Sequence, residues 1–416
     1  MSIITKLAST LPARVRSEVY EVEKEKRTRE GGGADVLSRI FGRRSAAGKP
    51  VNLQTAMQLS AVWACVRQTA TVISSLPLSV YDKRDNGSRD TVADRFAEVL
   101  TVSPNADQTG MEFWEGMVAW LMTNGNCYAE RTDGRLGLSQ LRTLPSISTE
   151  PFRNADGDLM YRVRDRGKTE VLPRDKVFHV RGFGFGSDVG LSPITFGVQT
   201  MGTALAAEES AGKIFGNGMQ VSGILKAGQT LTAEQRVQAR KMLEAYRGSE
   251  AAWKVMVLEA GLDFQTLTMN PEDAQMLETR RFSVEDICRW FGVPPIVVGH
   301  AGQGQTMWGS GVEQIMIAWM NTGLNPILRR IEGRVRKDLI APGQRIKRYA
   351  EFNREGILQM DSKAKAEFLT KLVSNGIMSR NEAREKLNLA RRDGADDLTA
   401  QTAMAPVQDL GKEDTP

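Results

Sequence analysis

The sequence predicts an α+β fold in which two long helices bracket one small module. Three observations carry this reading. Between Val51 and Arg181, amphipathic helices alternate with short strands and tight turns. Helix-period segments at 194–215 and 271–291 flank a strand–helix–strand insert. Beyond a glycine-rich stretch, another amphipathic helix spans 312–340.

Residues 1–50 read as a flexible segment. A mixed charge run at 21–30 is broken by Gly31, Gly32 and Gly33, and Arg43-Arg44 through Lys49-Pro50 reads as a linker. The folded body begins near Val51. Val62, Val66, Ala70 and Ile73 recur at helical spacing within 59–75, and Leu76-Pro77 stops that helix. Residues 78–82 alternate as a strand, followed by the hairpin signal Asp85-Asn86-Gly87. A helix at 111–124 closes at Gly125, and 126–131 returns as a strand. From 138 to 181, short strands are punctuated by turns at Asp156-Gly157 and Arg166-Gly167.

The helix at 194–215 is rich in alanine. Ser192 is placed to cap it, with Pro193 at its first position. The insert is read as a strand at 222–226, a helix at 232–246 and a strand at 254–258. Asn270 caps the helix at 271–291, after which Val293-Pro294-Pro295 is stiff. The helix at 312–340 is expected to break at Asn325-Pro326. Its second half aligns Ile327, Ile331, Val335 and Leu339, with basic residues on the other side. A strand at 347–353, helices at 361–372 and 381–387, and a polar, acidic, disordered tail complete the chain.

A length of 416 residues allows two or three domains. A net charge of +5 tolerates a polyanion partner without demanding one. No apolar run reaches the roughly 18 residues of a membrane span, and the N-terminus lacks the pattern of a signal peptide. No membrane partner is therefore expected. Cys65, Cys127 and Cys288 each sit in apolar context and read as buried thiols of a reducing compartment.

Gly167-Lys168-Thr169 lacks the glycine a phosphate loop needs five residues before Gly167, where Arg162 stands. His179 and His300 are far apart and have no second ligand at helical spacing, so no metal and no cofactor is expected. His179 reads as a core or interface residue, and His300 as a solvated loop residue. Gly182, Gly184 and Gly186 do not fit a dinucleotide motif and read as a flexible turn. Catalytic residues are accordingly none. Arg329, Arg330, Arg334, Arg336 and Lys337 head the densest basic cluster, which reads as a solvated or interface face, or else as a phosphate-facing one.

Several stretches in order resemble the portal proteins of tailed bacteriophages, of the Hong Kong 97 type. They are AVWACVRQTATVISSLPLSVYDK from Ala61, SPNADQTGMEFWEGMVAWLMTNGNCYAE from Ser103, and FHVRGFGFGSDVGLSPI from Phe178. FGNGMQVSGIL from Phe215, FGVPPIVVG from Phe291, GVEQ from Gly311, NPILRRIE from Asn325 and SNGIMSRNEAREKLNL from Ser374 continue the series. Each is weak alone, but their joint order and spacing over about residues 51–395 are specific.

The resemblance implies a portal fold with wing, two-helix stem, small α/β clip and helical crown, assembled as a ring, usually dodecameric. It implies a wing at 51–190 and 312–350, stem helices at 191–217 and 270–298, and a clip at 218–269. A tunnel loop would lie at 299–311, a crown at 351–393 and a disordered tail at 394–416. Double-stranded DNA would pass through the ring at one capsid vertex, and assembly would take place in the host cytoplasm. The terminase large subunit would dock and later give way to head–tail connector proteins, with the major capsid protein as the surrounding partner. Gln303, Gln305, Thr306, Met307, Trp308 and Ser310 would line the channel. They carry no charge, and a lining that lets DNA slide should avoid strong phosphate pairs. Two other classes stay in view: a packaging enzyme acting on DNA or nucleotides, and a monomeric basic DNA-binding protein.

Overall fold

The computed structural model describes residues 43–135, 137–216, 223–227, 232–245, 262–266, 272–300, 310–354, 362–387 and 389–398. The chain divides into two compact units, Met1–Phe352 and Asn353–Pro416.

The first unit begins with a correction. The stretch expected as a linker is a hairpin, β1 (Arg43–Arg44) paired antiparallel with β2 (Pro50–Val51). It is fixed by the long helix at Val198–Gly216. The Ala46 N–H donates to Gln199 Oε1 at 2.9 Å, and Lys49 pairs with Glu209. Buried Ser45 sits where a Cβ on Gly202 would fall, 2.2 Å from the Ser45 Cβ. Only glycine at 202 permits this approach.

After α1 (Leu53–Ala56), α2 (Ser60–Ser75) buries the positions its periodicity marks: Val62, Val66, Ala70 and Ile73. A hairpin of β3 (Leu78–Lys83) and β4 (Arg89–Thr91) turns where Asp85-Asn86-Gly87 predicts. Next come α3 (Arg95–Thr101) and α4 (Gly110–Asn124). A reciprocal capping box opens α4 between Thr109 and Glu112, and Gly125, at φ +70°, ends it. Phe113, Met117, Val118 and Leu121 of α4 are buried, and this helix packs on α2.

Six antiparallel strands follow: β5 (Asn126–Gly134), β6 (Gly137–Leu144), β7 (Thr149–Arg153), β8 (Leu159–Asp165), β9 (Lys168–Pro173) and β10 (Val177–Arg181). They form two sheets, ordered β10-β5-β6 and β7-β8-β9. Tyr128, Leu144, Tyr161, Val163 and Val177 form part of one buried cluster that joins the two sheets.

The Ser192 hydroxyl caps α5 (Pro193–Phe196) by accepting from the Thr195 N–H, as its position predicts. A break at Gly197 separates α5 from α6 (Val198–Gly216). In the insert, β11 (Gly223–Ala227) and β12 (Leu262–Thr266) pair antiparallel around α7 (Ala233–Ala245). The strand expected at 254–258 lies outside the described residues, and the second strand of the pair falls further along the chain. The cap expected at Asn270 also lies outside them. The helix α8 (Glu272–Phe291) then packs beside α6.

The helix expected to break at Pro326 continues through it. From α9 (Ser310–Trp319) it passes a π turn at Met320–Leu324 into α10 (Asn325–Arg334) and a second π turn at Val335–Leu339. A proline lacks an N–H and crowds the carbonyl four residues back. Widening the preceding turn, where the Asn325 N–H reaches Met320 O, relieves that conflict. Ile331, Val335 and Leu339 are buried as expected, whereas Ile327 is only half-buried and Leu324 and Leu328 take the core positions. Finally β13 (Arg348–Phe352) adds to the free edge of β3.

In the second unit, α11 (Ser362–Ser374) and α12 (Arg380–Lys386) pack together. Buried Asn381 ties down the segment after α12, exchanging two 2.8 Å bonds with the Arg392 backbone and donating its own N–H to Ala395 O. The expected disordered tail therefore starts with a fastened stretch, and 399–416 lies outside the described residues.

Candidate DNA-channel loop and basic surface

The segment read as a channel lining is held at both ends. On the near side, α8 stops at Phe291, and Gly292 turns left-handed at φ +66°. Buried Val293 follows, and a 3-10 turn at Pro295–Val298 ends on left-handed Gly299. On the far side, Ser310 is the first residue of α9. The two sides meet at a glycine. A Cβ on Gly323 would lie 2.6 Å from the buried Trp319 ring and 3.1 Å from Gly292 O. His300 is not solvated as expected. It is half-buried, with Nε2 3.8 Å from Glu285 Oε1. Gln303, Gln305, Thr306, Met307 and Trp308 lie outside the described residues.

The five basic residues do different things. Arg329 is exposed, 3.6 Å from Glu332. Arg330 donates to Gly182 O at 2.9 Å. Arg334 turns inward, donating from Nε to His179 O at 2.6 Å and pairing with Asp338 at 2.6 Å. Arg336 donates to the carbonyls of Arg345 and Ile346. Three of the five thus fasten this chain's own backbone. Arg334 and Lys337 also line a concave site of about 750 Å³, and the structure brings Arg131, Arg153, Arg174, Arg181 and Arg345 to the same place. Arg345 belongs to the same basic stretch of sequence, whereas the other four come from separate strands and turns, so sequence proximity could not group them with it. Asp158, Asp175, Asp188 and Asp338 offset part of the charge.

Buried groups near this surface respond to it. His179 has no solvent exposure. Burial, reinforced by Arg181, Arg334 and Arg174, holds its pKa well below the usual imidazole range. Tyr161 Oη lies 3.1 Å from His179 Nδ1, and Asn126 Oδ1 lies 3.0 Å from Nε2. Such a histidine is a neutral structural link, and its burial agrees with the core placement that the sequence allowed. Asp338 is pushed up by burial despite its cationic neighbours. Cys65, Cys127 and Cys288 are buried and unbridged. The Cys65 and Cys288 sulfurs lie 3.8 Å apart, a proximity their sequence separation hid. The hydrogen bond to Cys288 and burial both raise the Cys65 pKa, and burial raises that of Cys127. Among the described residues, no group of three or more His, Cys, Asp or Glu side chains could hold a metal ion.

The glycine-rich turn is also firmer than expected. Gly182 N donates to Gly125 O at 2.8 Å and Leu191 N to Phe183 O at 2.7 Å. A Cβ on Gly190 would lie 2.2 Å from Gly125 O, so glycine is required for this packing.

Comparison with known proteins settles what this scaffold is. The family model described as "Phage portal protein" matches residues 60–388. The chain belongs to the phage portal protein family. The portal protein of Enterobacteria phage HK97 is 32% identical over 376 residues, 88% of this chain and 87% of the relative. The crystal structure of an HK97-family phage portal protein from Corynebacterium diphtheriae shares the fold. Its TM-score is 0.57 at 18% identity, with 75% of this chain and 98% of that one covered. A chain in the neck of a native gene transfer agent particle, computed with C12 symmetry, matches with a TM-score of 0.54 at 22% identity. That match covers 86% of this chain and all of the other.

The function of this chain is that of a portal: the DNA channel at one vertex of a phage capsid. The mixed helix-and-sheet architecture expected from the sequence is the portal fold. Among the described residues no helix is long and apolar enough to cross a membrane.

Proposed function

We propose that twelve copies of this chain close into a ring through which double-stranded DNA is packaged and ejected, and that residues 299–311 line its narrowest point. The anchoring of both loop ends, Gly292 against Gly323 and Trp319, supports this reading. A segment with fixed ends and Gly302, Gly304 and Gly309 within it can change shape while its ends stay in place. The stem is 191–217 and 270–298, the clip 218–269, the wing 51–190 with 312–350, and the crown 351–393.

In this reading the terminase large subunit docks on the clip during packaging, and head–tail connector proteins replace it afterwards. The major capsid protein surrounds the wing. The chain itself catalyses nothing: the motor brings the energy, and the portal supplies the channel. Exposed Arg329 and Lys337 are the members of the basic helix left to meet DNA phosphates or a neighbouring subunit.

The test is Trp308→Ala, with Met307→Ala beside it. Rings should assemble as in the wild type while particles package or retain less DNA. Loss of the ring itself would make the loop a structural element and sink its assignment as the channel lining.

A further inference from the structure

A second feature lies away from the channel loop. A groove of about 550 Å³ opens between the glycine-rich turn, the start of α5, the end of α8 and the start of α10. Its walls are aromatic: Phe183, Phe185, Phe196 and Trp290 are 66%, 85%, 57% and 42% exposed. Single exposed apolar side chains are ordinary, but four rings around one concavity are not.

The turn that carries two of these rings is fixed. Besides the bonds to Gly125 and within the turn, Arg330 crosses from α10 to hold Gly182 O at 2.9 Å. Phe183 and Phe185 stack edge to face with centroids 6.0 Å apart. Ordering this loop costs conformational entropy, and rings left largely in water offset little of it in the single chain. The arrangement gains only when something apolar covers it.

We propose that a second copy of this chain covers it, so that the groove is one half of the subunit interface of the ring. The inference rests on the ring reading above. A closed ring of identical chains uses heterologous contacts, in which each copy offers two different faces and neither stays open. The groove supplies one such face. Trp63 on α2 and Phe282 on α8, both more than half exposed and neither in the groove, leave apolar surface elsewhere for the other. Buried aromatic anchors in a pocket dominate the energetics of such interfaces.

The experiment uses the full chain and three variants: Phe185→Ser, Phe185→Leu, and Phe183→Ser combined with Phe185→Ser. Sedimentation velocity measures assembly, electron microscopy checks ring closure, and thermal melting checks the monomer. Phe185 is 85% exposed and contributes little to the subunit's own core. Wild type and Phe185→Leu should form rings. Phe185→Ser should melt as wild type yet need an approximately tenfold higher concentration for half-assembly, and the double variant more. Rings from Phe185→Ser and the double variant at wild-type concentrations would overturn the inference. If those rings then failed to hold a connector protein, the groove would belong to that partner instead. A wild-type chain that never forms rings would overturn the ring reading, and the interface with it.

Discussion

His179 and Asn126 are joined across two strands by a buried 3.0 Å bond from the imidazole Nε2 to the amide Oδ1. The same oxygen accepts from Gly190 N at 2.7 Å, so the histidine must be the donor. Its Nδ1 is then free to accept from the Tyr161 hydroxyl at 3.1 Å. The Asn126 amide nitrogen donates to Gly190 O at 2.9 Å. One side chain therefore ties strand β5, strand β10 and the turn leading to α5. Asn126→Ala would leave several buried polar groups without partners. We expect a loss of about 3 kcal/mol, read as a lower midpoint in urea.

The same histidine sets a pH dependence. Burial and the three arginines depress its folded pKa, so above about pH 6.5 it is neutral whether folded or unfolded and contributes no slope. Below that pH the unfolded chain takes up a proton that the folded chain refuses. Stability should then fall by up to about 1.4 kcal/mol per pH unit as pH drops toward the folded pKa. His179→Phe should flatten this limb between about pH 6.5 and 5 while lowering stability at neutral pH. An unchanged slope in the variant would show that another group carries it.

Two glycines at one helix should respond in opposite ways. Gly125 is left-handed, and a Cβ there would lie 2.2 Å from Leu191 O. Gly125→Ala should cost about 3 kcal/mol or more, combining strain with a displaced backbone. Gly116, inside α4, has open space around its missing Cβ. Gly116→Ala should stabilise by about 0.5–1 kcal/mol. Denaturant melts of both variants check the pair.

Arg348 grips two carboxylates, Asp82 through paired bonds of 2.8 and 2.9 Å and Asp94 at 2.7 Å. It thereby links β13 to β3 and to the cap of α3. The bond from Arg348 lowers the Asp82 pKa. This contribution is present above the ordinary carboxylate range and is lost as pH falls through the depressed value. Arg348→Lys cannot make the fork and should cost about 1 kcal/mol at neutral pH, since both acids are partly exposed. The difference between variant and wild type should shrink in acid melts.

Local signals made much of this fold readable. Helix periodicity marked Val62, Val66, Ala70 and Ile73 as core, and Ser192-Pro193 announced its own cap. What escaped depended on distant partners. The hairpin at 43–51 exists because Gly202, some 150 residues on, leaves room for Ser45, and nothing near Arg43 says so. The continuation through Pro326 uses a π turn, a solution that local rules for proline do not favour. Arg131, Arg153, Arg174 and Arg181 join the basic surface only after two sheets are built. The glycines at 182–186 read as loose because glycine usually is, yet Gly182 is held by its bond to Gly125 O and Phe183 O accepts from Leu191 N. Family likeness, by contrast, was legible as motif order over most of the chain, and the match to residues 60–388 bears it out.

The central claim is a closed ring with a passage for DNA. Electron microscopy of the purified full-length chain in axial view tests it most directly. The account requires closed rings with an open centre and twelve-fold rotational symmetry, as in the neck computed with C12 symmetry. A uniform population of small solid particles at every protein concentration, with no ring in assembled capsids, would contradict it.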